Sequence, residues 1–147
     1  MTAPLYNRVA LVGLGLIAGS IALAAKRRGL AGAVVGTARS AQTRETAKRI
    51  GLVDEVLETV TDAVKDADLV ILCVPVGAMD AVAEQIAPHL KPGVVISDVG
   101  SVKAAVVDAV APSVERAQQI AATKDQMPGV IKQRHLGAAG LHQPVDI

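Results

Sequence analysis

The chain has almost no aromatic residues, with one tyrosine and no phenylalanine or tryptophan among 147 residues. Proteins that bind single-stranded nucleic acids stack bases on aromatic side chains, so the composition excludes such a surface. The formal net charge is only +1, and the sequence therefore gives no electrostatic case for a nucleic-acid partner. The hydrophobic fraction of 51% comes mainly from alanine, valine, leucine and isoleucine. Small aliphatic side chains of this kind suit helices packed on a parallel sheet.

Cysteine is also scarce, and the single Cys73 excludes an intrachain disulfide and fits a reducing compartment. No group of histidine, cysteine and carboxylate residues has the spacing of a metal site. The uncharged run from Val9 to Ala25 has a second interpretation, as an export signal or a membrane span. Glycines interrupt that run and the basic segment Lys26–Arg28 follows it, which opposes export. We therefore expect a cytoplasmic protein without a membrane segment.

The most informative segment reads VALVGLGLIAGS and begins at Val9. Val9–Val12 is apolar throughout, as in a parallel strand covered on both faces. Gly13 permits a tight turn, Gly15 lets the backbone approach a phosphate group, and the following helix directs free amides at the anion. This pattern predicts a loop for the diphosphate of a dinucleotide, and the alternative is an ordinary turn between a strand and a helix. The predicted contacts are Gly13, Gly15, Leu16 and Ile17.

Apolar runs alternate with helical patterns over residues 1–115, which predicts an α/β fold of the Rossmann type, with a doubly wound, mostly parallel sheet. We expect strands at Val9–Val12, Ala33–Thr37, Leu69–Val74 and Val94–Asp98, and helices at Leu16–Arg28, Ala41–Ile50, Ala78–Leu90 and Val102–Ala111. A short helix is expected before Asp66, and Val53–Thr61 is ambiguous. For residues 116–147 we predict an irregular or partly helical tail, and we expect no substrate or dimerisation domain there.

The end of the second predicted strand indicates which dinucleotide is preferred. An acidic residue there would bond the ribose hydroxyls of NAD and repel the 2′-phosphate of NADP. The segment Thr37–Ser40 has no carboxylate, and Arg39 can pair a phosphate through its planar guanidinium. Thr37 and Ser40 can add hydroxyl donors. The sequence favours NADP, although Arg39 as a solvated loop residue, Ser40 as a helix cap and use of NAD all remain open.

Four segments together resemble the nucleotide-binding domain of prephenate or arogenate dehydrogenases, the cyclohexadienyl dehydrogenases of tyrosine biosynthesis. They are Gly13–Ser20, Asp66–Val76, Ile86–Gly93 and Ile96–Lys103, and the last contains the specific pattern Asp-x-x-Ser-x-Lys. The resemblance implies an NAD(P)-dependent oxidoreductase. Such an enzyme converts prephenate to 4-hydroxyphenylpyruvate, or arogenate to tyrosine, with release of carbon dioxide.

The resemblance also implies roles for residues in two of these segments. Ser101 would lie beside the substrate hydroxyl as a catalytic residue, and Val74 and Pro75 would form the wall of the nicotinamide site. Lys103 would approach a substrate carboxylate. From the residues alone, Ser101 is equally an N-cap of the following helix, and Lys103 is a solvated helical lysine.

The sequence departs from this family after Glu115. The family continues with a Gly-His-Pro-x-Ala-Gly segment, whose histidine accepts the substrate proton, and with a helical domain that forms a homodimer. The segment from His135 to Gly140 only faintly resembles that motif, while His142 and His89 have no assigned role. We expect a truncated or altered chain that retains cofactor binding and has little turnover. The alternatives are a non-catalytic dinucleotide-binding module, or an imine or pyrroline-carboxylate reductase on the same fold.

Overall fold

The computed structural model describes residues 3–100 and 103–125, which form five strands and five helices. The strands are β1 (Tyr6–Val12), β2 (Ala31–Thr37), β3 (Glu55–Leu57), β4 (Leu69–Leu72) and β5 (Val95–Asp98). The helices are α1 (Leu16–Arg27), α2 (Ala41–Ile50), α3 (Val60–Val64), α4 (Val76–Ile86) and α5 (Lys103–Asp125), with a 3₁₀ turn at Ala87–His89 after α4.

The five strands form one parallel sheet in the order β3-β2-β1-β4-β5. The central strand β1 pairs with β2 on one side and with β4 on the other. The strand order therefore reverses beside β1, and open sheets of this kind bind ligands in the crevice at that point, outside the carboxyl ends of the strands. The predicted Rossmann-type fold is confirmed.

Two buried clusters cover the two faces of the sheet. One includes Leu11, Ala18, Ala22 and Ala47, and packs α1 and α2 on the first face. The other packs α3, α4 and α5 on the opposite face and consists largely of valine, leucine, isoleucine and alanine. Helices on both faces explain why the strands are apolar along their whole length and show no alternation.

Several element boundaries differ from those expected. The ambiguous segment contains the edge strand β3, whose Glu55 pairs with Val35 of β2. Strand β4 ends at Leu72, and α4 begins at Val76, directly after Pro75, because proline fits the start of a helix better than its interior. Helix α4 ends at Ile86, earlier than the expected Leu90, because Pro88 lies in the following 3₁₀ turn and does not fit a helix interior.

The last helix differs most from the prediction. The expected helix ends at Ala111 and is followed by an irregular or partly helical tail, whereas α5 runs unbroken through Pro112 and past Glu115. Val106, Val110 and Val114 recur at four-residue intervals and are all buried, so one continuous apolar stripe holds both halves on the same core. The domain boundary predicted at 115/116 therefore falls inside a helix. The remainder of the predicted tail, residues 126–147, lies outside the described residues.

At the amino end of the sheet, Asp68 joins three strands. One carboxylate oxygen accepts the backbone amides of Asn7 at 2.6 Å and Arg8 at 2.9 Å. The other oxygen pairs with the ammonium group of Lys91, just before β5. The hydrogen bond from Lys91 lowers the pKa of Asp68 below its ordinary value, and the two amides act in the same direction against the opposing effect of burial.

Replacing Asp68 with asparagine should therefore destabilise the fold in a pH-dependent way. A carboxyl group with a lowered folded-state pKa contributes stability above its unfolded pKa of about 3.9 and loses that contribution as the pH falls through the folded-state value. We expect Asp68→Asn to reduce the free energy of unfolding by about 2 kcal/mol at neutral pH. Urea unfolding should show the difference shrinking below about pH 4.

The matched control for this experiment is Glu84→Gln. Glu84 pairs with Arg116 at 4.0 Å with both side chains exposed, and exposed pairs of this kind contribute less than about 1 kcal/mol. A difference between wild type and Asp68→Asn that stays constant from pH 7 to pH 3 would contradict the assigned role of the carboxylate.

Candidate cofactor site

The residues predicted to bind the cofactor follow three neighbouring strands at the carboxyl edge of the sheet. Gly13 follows β1, Arg39 follows β2, and Pro75 follows β4. Backbone hydrogen bonds join these turns. The amide of Gly13 donates to the carbonyl of Thr37 at 2.9 Å, and the amide of Cys73 donates to the carbonyl of Val12 at 2.8 Å. The fold therefore brings the separate sequence motifs to one crevice.

Gly13 forms the tight turn after β1 that the sequence predicts. Its φ angle is +98°, and a Cβ atom placed on it would lie 2.6 Å from the carbonyl oxygen of Cys73. Other residues rarely adopt this φ, and the backbone directly after β4 leaves no room for a side chain. Glycine is therefore required here by the fold itself, whether or not a ligand is bound.

Gly15 is in a different situation. Its φ angle is −94°, an ordinary value, and no atom of the described residues lies within 4 Å of a Cβ placed on it. The fold therefore does not require glycine at this position. The glycine at the start of α1 leaves the backbone there accessible, as the predicted approach of a phosphate group requires.

The start of α1 has open backbone donors. Among the residues that the structure describes, none accepts a hydrogen bond from the amides of Leu14, Gly15, Leu16 or Ile17. The first turn of α1 contains no acidic residue, and Gly15 provides no side-chain cap. Leu16 is 90% exposed and Ile17 is 56% exposed. The positive end of the helix dipole and these unpaired amides lie at the carboxyl edge of the sheet, where an anion would be stabilised.

The loop after β2 carries Arg39 and Ser40, both exposed. The hydroxyl of Ser40 accepts a hydrogen bond from the amide of Thr43 at 3.4 Å, so the predicted cap of α2 is confirmed. Thr37 is 2% exposed, and the contact found for it is through its backbone carbonyl to Gly13. The burial of Thr37 leaves Arg39 and Ser40 as the side chains of this loop that are open to a ligand.

Arg44 is a residue that the sequence did not single out. One nitrogen of its guanidinium donates to the carbonyl of Ala38 at 2.7 Å and to the carbonyl of Arg39 at 3.0 Å. Arg44 is half-buried in the first turn of α2, beneath the loop that it holds. The sequence contains a weak signal for this contact, since a cation in the first turn of a helix opposes the helix dipole.

The turn after β4 contains Val74 and Pro75, which are half-buried and exposed respectively. Pro75 precedes α4, whose first turn has neither an acidic residue nor a side-chain cap. The thiol of Cys73 is half-buried, and burial raises its pKa to about 11. Cys73 is therefore protonated at neutral pH, and it packs against the cluster beneath α1 and α2.

At the end of β5, the buried carboxylate of Asp98 accepts a hydrogen bond from the amide of Gly100 at 2.8 Å. This bond shapes the start of the segment that leads to Ser101. Ser101 itself lies outside the described residues, so its predicted catalytic role stays a prediction. Lys103 begins α5. His89 is exposed near Lys91, while His135 and His142 lie outside the described residues.

Within residues 3–100 and 103–125, no cluster of three or more histidine, cysteine or carboxylate side chains is arranged to hold a metal ion. No helix in the same part of the chain is long and apolar enough to span a membrane.

Comparison with known proteins agrees with this geometry. The sequence model of the family "prephenate dehydrogenase, nucleotide-binding domain" matches residues 21–126, beginning just after the glycine turn. The cyclohexadienyl dehydrogenase of Zymomonas mobilis is 44% identical over 102 residues, which is 69% of this chain and 35% of the relative. The chain therefore spans about a third of that enzyme.

Solved structures show the same relationship. The arogenate dehydrogenase of Synechocystis superposes with a TM-score of 0.66 at 33% identity, covering 72% of this chain and 37% of the other. The prephenate dehydrogenase of A. aeolicus, in a complex with hydroxyphenyl propionate and NAD⁺, gives a TM-score of 0.67 at 26% identity, covering 74% and 38%. The expected resemblance is confirmed: this chain belongs to the prephenate dehydrogenase family and contains the nucleotide-binding domain of that family.

Proposed function

We propose that the chain binds NADP in preference to NAD, as the cofactor-binding part of an enzyme that oxidatively decarboxylates prephenate or arogenate. The observation that carries this proposal is the set of open amides from Leu14 to Ile17. These donors lie beside an exposed glycine that the fold does not require. A diphosphate fits such a site because it accepts several hydrogen bonds and carries the charge that the helix dipole favours.

Arg39 supports the preference for NADP. It is exposed on the loop after β2, the position that contacts the adenosine ribose in sheets of this kind. Its guanidinium would pair with a 2′-phosphate, and no carboxylate on the loop would repel that group. An arginine at this position can also stack on adenine, which would support binding of NAD with lower affinity.

The remaining residues belong to the reacting end of the site. A bound nicotinamide would accept a hydride from the substrate ring as carbon dioxide leaves. We propose that Val74 and Pro75 form the wall of this part of the crevice and that the hydroxyl of Ser101 orients the substrate oxygen. Prephenate and arogenate are the substrate classes that the family implies.

We also propose that this chain alone turns over substrate slowly or not at all. The described part of the chain contains one histidine, His89. It lies near Lys91 at the amino end of the sheet, away from the crevice. The sequence has no Gly-His-Pro-x-Ala-Gly segment to supply a general base. The purified chain should bind NADP in calorimetry without prephenate-dependent formation of NADPH. Absence of binding to both NADP and NAD would refute the proposed function.

The preference for NADP is tested by Arg39→Ala. We expect the dissociation constant for NADP to rise at least about tenfold, since a charge-assisted hydrogen bond is lost. The constant for NAD should change much less. Isothermal titration with both dinucleotides measures this difference. Arg49→Ala is the matched control, because Arg49 carries the same charge but lies in the last turn of α2, at the end of the helix away from the loop. Equal losses for NADP and NAD would refute the phosphate contact.

A further inference from the structure

We propose that Arg44 is a positioning residue for cofactor selectivity and acts through the backbone of the loop after β2. This inference rests on the proposed function, in which the same loop receives the adenosine end of NADP. The loop is the segment from Ala38 to Ser40, and it has no regular hydrogen-bonding partner strand. A loop of this kind needs contacts of its own to hold one conformation.

Each of the three loop residues is held by a different contact. The side chain of Ala38 is 8% exposed and packs in the cluster beneath α1 and α2. The carbonyls of Ala38 and Arg39 both accept from the guanidinium of Arg44. The hydroxyl of Ser40 caps α2. Arg44 is thus the contact that fixes the backbone of Arg39, while the side chain of Arg39 stays exposed.

The charges around the loop point to an anionic ligand. Among the side chains that the structure describes, no carboxylate lies within 4.0 Å of the guanidinium of Arg39 or of Arg44. The first turn of α2 also contains no acidic residue. Two cations and a helix dipole of the same sign therefore meet at one loop, an arrangement that a bound phosphate would stabilise.

Arg44 would favour NADP over NAD by holding the backbone of Arg39 in place before the cofactor binds. When Arg39 is fixed before binding, less conformational entropy is lost as it pairs with the 2′-phosphate. A single terminal nitrogen of Arg44 serves both carbonyls. The lysine ammonium also has several donors, but its side chain is one bond shorter, so it reaches the two carbonyls less well. The adenosine contacts that NADP and NAD share depend less on Arg39 and should be less sensitive to Arg44.

The test compares wild type with Arg44→Ala, Arg39→Ala and the double variant, using calorimetry with NADP, NAD and 2′,5′-ADP. We expect Arg44→Ala to raise the dissociation constants for NADP and 2′,5′-ADP about tenfold, and the constant for NAD by less than about twofold. The double variant should bind NADP no more weakly than Arg39→Ala, because Arg44 acts through Arg39. Arg44→Lys should recover only part of the loss, and the thermal midpoint reports whether each variant is folded.

The outcomes separate the two proposals. If wild type binds neither dinucleotide, the proposed function fails. If wild type prefers NADP and folded Arg44→Ala keeps the full preference, only the role of Arg44 fails. A fully additive loss in the double variant would show that Arg44 contacts the phosphate independently, and would overturn the positioning role.

Discussion

Replacing Gly13 with alanine should abolish dinucleotide binding and destabilise the whole domain. The new Cβ atom would lie 2.6 Å from the carbonyl oxygen of Cys73. The alanine would also have to adopt a φ angle of +98°. Overpacking against backbone and an unfavourable φ each cost about 1–3 kcal/mol. We expect a loss of about 3 kcal/mol in the free energy of unfolding, measured by urea denaturation.

The destabilisation should appear in the absence of any cofactor, because the steric conflict lies within the protein. Gly13 also donates its amide to the carbonyl of Thr37, so displacement of the turn would disturb the loop after β2. A variant that unfolds at the same urea concentration as wild type would show that the turn has room for a side chain, contrary to the structure.

Replacing Gly15 with alanine should have the opposite combination of effects. Its φ angle is ordinary and nothing lies near the added methyl group, so the cost in stability should stay below about 1 kcal/mol. The methyl group would project beside the open amides at the start of α1, where we place the diphosphate. A steric conflict of about 1–3 kcal/mol there corresponds to a loss of roughly 10- to 100-fold in affinity for both NADP and NAD.

Calorimetric titration and urea denaturation of the same protein sample measure the two properties of Gly15→Ala. The matched control is Ser20→Thr, which adds a methyl group to the exposed surface of the same helix beyond its first turn. If Gly15→Ala bound NADP with the affinity of wild type, the diphosphate could not lie at this position. Comparison with Gly13→Ala separates a glycine that the fold requires from one that the ligand requires.

The parts of the fold that could be predicted from sequence are those with local causes. Ser40 and Gly51 bound α2 as expected, since Ser40 caps its first turn and Gly51 ends it with a φ angle of +63°. Gly13 was likewise predicted from a turn that needs a positive φ. In each case the residue acts on backbone within a few positions of itself, so the sequence alone contains the relevant information.

The features that the sequence left ambiguous or did not predict depend on tertiary contacts. Strand β3 has three residues and an exposed Glu55, too short for a hydrophobic period to show. The predicted helix ends at Ala111, but buried valines on both sides of Pro112 keep α5 continuous. The contacts of Arg44 depend on the chain reversing direction between β2 and α2, so that two carbonyls face a side chain five and six residues later. No propensity describes that geometry.

The ion pair of Asp68 and Lys91 lies at the end of the sheet remote from the crevice. This stabilising ion pair is thus segregated from the residues that would handle the ligand. For protein engineering, this segregation means that thermostability can be improved around Asp68 without trading away cofactor affinity. During evolution, substitutions in the loop after β2 could likewise change the preferred dinucleotide without lowering the stability that the Asp68 ion pair provides.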